Sequence, residues 1–301
     1  MRIHHLNATS LCPLVGPPAD GSLAGAPGLR PRARLACHCL LVEADDGLIL
    51  VDTGLGLRDV AAPRERLGRL FTAVLRPELR REMTAARQVE RLGYEREDVR
   101  HIVLTHLDLD HAGGLDDFPD ATVHLLAEER DEALGRPLGR PWYRRHPWPS
   151  PERWRTYVRG EGEPWFGFDA VRSLDGLPPE ILLVPLIGHT RGHAGVAVLG
   201  ARGWLLHAGD AYLFRDEIDP DFPSCPAGLR LLEQLTTRDR HARQWNQDRL
   251  RDLRREHGAN VTVTSSHDPV EFERLAGRAL DTPAPALFLR PVERRFGEAR
   301  P

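Results

Sequence analysis

The chain has 301 residues, 41% hydrophobic and 28% charged, a composition that excludes a disordered or fibrous protein and can bury a sizeable core. Lys plus Arg (41) nearly balance Asp plus Glu (44), for a formal net charge of -3, so no global field recruits nucleic acid or an anionic membrane. No apolar run approaches the roughly 18 to 20 residues of a membrane span, and the four cysteines form no CxxC pair and follow no secretory leader, so a cytoplasmic location is expected.

Residues 1–6 suggest an edge strand, and the Pro- and Gly-rich stretch 13–31 suggests a surface loop. Alternation over 35–42 and 48–51, around Ala44-Asp-Asp-Gly47, predicts a hairpin that ends in Asp52-Thr53-Gly54. Cys37 and Cys39 fall inside its first strand and read as buried thiols, not ligands. Leu79, Met83, Ala86, Val89 and Leu92 recur at helical spacing and predict a helix over 77–93. Strands follow at 101–104 and 122–126. Residues 135–180 are rich in Pro, Arg and Trp without a sustained period and read as a lid-like insertion. Strands at 181–187, 195–199, 204–206 and 260–264, helices at 226–238 and 241–257 and a short helix from Pro269 complete one domain spanning 1–301, with a C-terminal tail at about 281–301.

The segment Thr105-His-Leu-Asp-Leu-Asp-His-Ala-Gly-Gly114 packs two His and two Asp into six residues beyond an apolar run. In an extended chain alternate side chains share a face, so His106 and Asp108 can point to one metal while Leu107 and Leu109 pack inward. Asp110 and His111 follow where the chain turns and can reach a second ion. Gly188-His-Thr190, Ala208-Gly-Asp210 and Ser265-Ser-His-Asp268 each stand at the end of a predicted strand, where side chains are held rigidly enough for ligation. Neither a Gly-x-Ser-x-Gly elbow, nor a dinucleotide fingerprint, nor a phosphate loop is present.

Together with Asp52-Thr53-Gly54, these segments resemble the five ordered motifs of the metallo-β-lactamase superfamily, most closely its lactonase-like branch, over residues 37–268. The resemblance implies an α/β fold, an αββα sandwich of two mixed sheets packed face to face with helices outside. It implies that His106, Asp108 and His189 hold one metal and that Asp110, His111 and His267 hold another, with Asp210 bridging. Asp52 would orient a ligand, while His193 and His207 would pack or support rather than ligate. Asp110 would accept a proton from the attacking water, and Tyr212, soon after the bridging Asp, is a candidate donor to a substrate carbonyl.

The sequence departs from the family at Asp108, where most members carry a second His. Four His and three Asp with no thiolate suit two divalent ions, zinc first, with manganese or iron as alternatives. Two close metals activate water for hydrolysis without a Ser or Cys nucleophile. The expected activity is a metal-dependent hydrolase of a small-molecule ester, lactone or thioester. A phosphodiesterase or phosphotriesterase of the same fold and a catalytically weak metal-binding protein are the alternatives. The expected partner is a small-molecule substrate, not nucleic acid or membrane, and a homodimer is left open.

Overall fold

The computed structural model describes residues 1–13, 34–135, 142–143 and 148–286. Positions 14–31 of the expected surface loop, parts of the expected insertion and most of the expected tail lie outside the described residues. Strands β1 (Arg2–Asn7), β2 (His38–Ala44), β3 (Gly47–Val51), β4 (Val99–Val103), β5 (Thr122–Leu126) and β6 (Trp154–Tyr157) form one sheet in that order. A second sheet runs β7 (Glu163–Trp165), β8 (Phe168–Ser173), β9 (Ile181–Pro185), β10 (Ala194–Gly200), β11 (Gly203–His207) and β12 (Val261–Thr264). Each sheet is mixed: β3 to β6 pair in parallel in the first, and β11 with β12 in the second.

The side-chain alternation of β2 and β3 explains the layering. Leu40, Val42, Ile49 and Val51 face the opposite sheet and pack with Leu183, Val196 and Val198. Cys39, Leu41, Leu48 and Leu50 point the other way, onto Ala85, Ala86 and Val89 of the helix Ala85–Arg91. On the second sheet Val184, Ala197, Leu206 and Val263 take Leu250 and Leu253 of the helix Arg240–His257. Strands apolar on both faces must be covered on both, and the result is the αββα sandwich expected from the sequence.

Two local expectations are corrected. The helix expected over 77–93 forms only at Ala85–Arg91, after a single 3-10 turn at Arg81–Met83. Thr84, in extended conformation between them, caps the helix by accepting from the Arg87 amide, and this sets the helix start. Residues 154–173, read as irregular, supply β6, β7 and β8, whose pairing comes from neighbouring strands and not from their own weak period.

The ends of β3, β4, β9, β11 and β12 lie on one edge of the sandwich and are cross-bonded there. Asp52 N donates to Val103 O at 3.0 Å, Ala194 N to Thr105 O at 2.9 Å and Ser266 N to Gly209 O at 3.1 Å. Gly209, at φ +56°, sits where a Cβ would lie 2.6 Å from His193 Nε2, so the chain can turn there only as glycine.

Two buried histidines away from that edge give the fold a pH dependence. Burial, reinforced by His207 and Arg278, pushes His5 from 6.5 down to about 4. Burial, reinforced by His101, pushes His124 from 6.5 down to about 3. The folded chain keeps both neutral while the unfolded chain protonates them near 6.5. Stability is therefore fully present above that pH and falls as the pH drops toward 4, by about 1.4 kcal/mol per unit for each histidine. Thermal melts between pH 7 and 4.5 should show the fall, and His124→Gln should reduce its slope by about half, leaving the His5 contribution. A melting temperature that holds constant across this range would refute the argument.

Candidate metal centre

Seven side chains from the strand-end loops meet in one cleft, none more than 8% exposed: His106, Asp108, Asp110, His111, His189, Asp210 and His267. After β4 the chain bends at Thr105, is extended again at Asp108, whose φ is -63° and ψ 152°, and then enters a single turn at Leu109–Ala112. His106 and Asp108 thus face one side, and Asp110 and His111 project from the turn.

The donors gather in two sets, about Asp108 and about Asp110, and the donor atoms of His106, His111 and Asp210 also lie within 4.8 Å of one another between them. In the first, Asp108 Oδ2 is 3.0 Å from His189 Nε2 and 3.6 Å from His106 Nε2. In the second, Asp110 Oδ2 is 3.5 Å from His267 Nε2 and 3.8 Å from His111 Nε2. Asp210 faces both: Oδ2 lies 3.6 Å from His189 Nε2, while Oδ1 lies 3.2 Å from His111 Nε2 and 3.1 Å from His267 Nε2. Burial works against ionising Asp210, but His267, His111 and His189 outweigh it and hold the carboxyl well below its ordinary range. Burial raises Asp110, only partly offset by His111 and His267.

The residues behind the cleft fix which nitrogen three of the four imidazoles, His106, His111 and His267, turn inward. His111 Nδ1 is 2.8 Å from Asp52 Oδ2, and His267 Nδ1 is 2.6 Å from the carbonyl oxygen of Ala36. Thr105 Oγ1 donates to Asp52 Oδ2 at 2.8 Å, which leaves it to accept from His106 Nδ1 at 3.0 Å. Asp52 also accepts from Thr105 N at 2.8 Å, and it holds φ 55°, a strained conformation for a non-glycine residue. His193 accepts from Asp210 N at 2.9 Å through Nε2 and donates from Nδ1 to Leu186 O at 2.7 Å, so it supports Asp210. His207 Nε2 donates to the His38 carbonyl at 2.8 Å, away from both sets.

This donor set fits divalent cations. Each ring whose Nδ1 is fixed from behind presents Nε2 to the cleft, the arrangement metal-binding histidines adopt. The buried His106 Nε2 has no hydrogen-bond partner, and neither His111 Nε2 nor Asp210 Oδ1 makes a bond of good geometry. Unsatisfied buried polar atoms cost about 1–3 kcal/mol each, which ligation would remove.

Some placements were not foreseen. Tyr212 is fully buried and its hydroxyl donates to Glu271, at 2.9 Å to Oε2, so it is not brought to the cleft. The Cys37 thiol, read from sequence as a packed side chain, lies within 4.8 Å of the donor atoms of Asp110 and His267. Burial, with Asp110 nearby, pushes that thiol well above its ordinary range and keeps it neutral. Glu129, which the sequence does not single out, is fully buried beneath the first set. Only the tertiary packing reveals either residue. Above the carboxylates the cleft is rimmed by Leu11, Leu35, Leu75, Trp142, Leu213 and Leu232.

The profile of the Metallo-beta-lactamase superfamily matches residues 32–261. The chain is 46% identical over 237 residues to the "Probable metallo-hydrolase" of Mycobacterium tuberculosis, covering 78% of this chain and 75% of that protein. It is 34% identical over 192 residues to an N-acyl homoserine lactonase of Bacillus thuringiensis, covering 63% and 69%. A solved N-acyl homoserine lactone hydrolase, with N-hexanoyl-L-homoserine at its catalytic metal center, shares the fold with a TM-score of 0.63 at 20% identity over 92% of this chain and 96% of that one. Motifs, sandwich and relatives agree, and the chain belongs to the metallo-β-lactamase superfamily as a metallo-hydrolase.

Proposed function

We propose that the chain hydrolyses a small-molecule lactone, ester or thioester using two divalent cations. His106, Asp108 and His189 would hold one, Asp110, His111 and His267 the other, and Asp210 both. The observation that carries this reading is Asp210, whose two oxygens face separate His/Asp sets on the floor of an apolar-rimmed cleft. Zinc is the first candidate, and the carboxylate of Asp108 keeps manganese and iron within range because it is a harder donor than imidazole.

Bound cations supply Lewis acidity toward a carbonyl oxygen and lower the pKa of water toward about 7. The chain's own residues do the rest. Asp110 would take up the proton released as water attacks the acyl carbon and return it to the leaving oxygen or sulfur as the acyl–oxygen or acyl–sulfur bond breaks. The leucines and Trp142 take the apolar part of the substrate and exclude bulk water. Among the described residues the cleft lining holds three aspartates and no Arg or Lys, which disfavours an anionic phosphodiester. The lactonase relative supports a lactone.

Elemental analysis after chelator-free purification should find two metals per chain, and a panel of chromogenic lactone, ester and phosphodiester substrates should show acyl hydrolysis. Metal-free protein that hydrolyses the esters equally well would end the proposal.

Asp108→Ala should reduce the stoichiometry toward one. Asp108→His should keep two metals, favour zinc, and move the alkaline-going rise of the pH–rate profile to lower pH, because a neutral ring replaces an anion. Unchanged metal content and turnover in Asp108→Ala would make this carboxylate a bystander.

Asp52→Asn should lower metal affinity about 10- to 100-fold, because an amide cannot accept from all three donors that Asp52 now serves. Chelator competition measures it. Trp142→Ala should raise KM and spare metal content, and loss of metal from this variant would show that the rim and the donor sets are not separable.

A further inference from the structure

The geometry points to Glu129 as a positioning residue for the first donor set alone. This rests on the reading of His106, Asp108 and His189 as ligands. Glu129 stands in the helix Ala127–Leu134, directly after β5, and is 0% exposed. Its Oε1 accepts from the amide of Leu107 and the hydroxyl of Tyr143, both at 2.9 Å. Its Oε2 accepts from Thr190 Oγ1 at 2.5 Å and the Gly192 amide at 3.2 Å.

Those four donors belong to the segments that build the first set. Leu107 lies between His106 and Asp108. Thr190 and Gly192 flank the turn just after His189. Tyr143 forms an antiparallel bridge with Asp108 itself, and Leu109 N donates to Trp142 O at 3.0 Å. Gly192 is pressed so closely onto Glu129 that a Cβ would lie 2.2 Å from the Glu129 nitrogen, so the turn after His189 rests on this residue.

The second set is held elsewhere, His111 by Asp52 and His267 by the Ala36 carbonyl. One buried carboxylate therefore registers the first set and the Trp142 rim to each other and leaves the second set alone.

The chemistry of the contacts specifies a carboxylate. Each oxygen faces one backbone amide, which can only donate. An amide side chain in place of the carboxylate would aim its NH2 at either the Leu107 or the Gly192 N–H, whichever way it turned. Glu129→Gln is thus close in shape and wrong in hydrogen bonding, whereas Glu129→Asp keeps the acceptors and shortens their reach.

Zinc(II) added to the apoprotein against a competing chromogenic chelator should titrate wild type in two steps. Glu129→Gln should weaken one step by about 10- to 100-fold and spare the other. Asp52→Asn should instead weaken both steps, because Asp52 holds His111 directly and His106 through the Thr105 hydroxyl. Glu129→Asp should recover part of the loss, and it carries the test if Glu129→Gln does not fold. Tyr143→Phe should keep both steps and raise KM for a chromogenic lactone, with kcat little changed. Equal weakening of both steps by Glu129→Gln, or neither, with only a lower melting temperature, would reduce Glu129 to a general packing role and overturn the inference. If wild type takes up fewer than two zinc ions, the dinuclear proposal fails by itself. Amide hydrogen exchange at Leu107 and Gly192 then decides for Glu129, faster exchange in Glu129→Gln sustaining its positioning role and unchanged exchange ending it.

Discussion

Three carboxylates and four imidazoles share one buried cleft, and in isolation each charge there would cost several kcal/mol of desolvation. They are tolerable together because they compensate one another, and only at close and fixed distances. Asp210 is the clearest case: burial raises it, three histidines pull it back, and its two oxygens must face both groups at once. A small rotation would leave a buried charge without its partner. The scaffold around the cleft is accordingly rigid in hydrogen-bonding terms, with ring nitrogens pinned by Asp52, Thr105 and the Ala36 carbonyl.

The sandwich supplies that rigidity through its layering. Apolar side chains on both faces of β2, β3, β10 and β11 force helices onto the outside of each sheet, which leaves the strand ends as the accessible edge. The Ala194 to Thr105 and Ser266 to Gly209 bonds tie neighbouring loops there. Asp52 carries strain at φ 55° at the point where it serves three donors, so local conformational cost is offset by the network it completes.

Much of this was legible in the residues. A polar cluster just past an apolar run marks a strand end, and His106 to His111, His189, Asp210 and His267 all carry that mark. The hairpin and the long helix Arg240–His257 were equally plain, since turn chemistry and helical period are local. What escaped was decided by tertiary contact. Thr84 looks like any helical residue until its cap is seen. Strands β6 to β8 lack alternation and are strands because β5 and β9 offer edges to pair with. Tyr212 stands near Asp210 in sequence, but its ring turns into the core where Glu271 receives the hydroxyl. Glu129 hides in a run of mixed charges, and only the packing of Gly192 against it exposes its role.

Asp108 shows how a departure from the family pattern can be built into the surrounding chain. A carboxylate reaches less far from its backbone than an imidazole, so the backbone itself must be brought close and held. Here the Asp108 carbonyl accepts from His111 N at 3.0 Å and Ala112 N at 2.9 Å, and the strip 108–109 is paired to Tyr143 and Trp142. On the proposed arrangement, three carboxylates against two divalent cations leave one net positive charge, where an imidazole at 108 would leave two. An anionic phosphodiester gives up a full unit of attraction by that change, while a neutral lactone or ester loses only a charge–dipole term. With the proposed metals bound, Asp108 would therefore bias the cleft toward neutral acyl substrates, in agreement with its apolar rim.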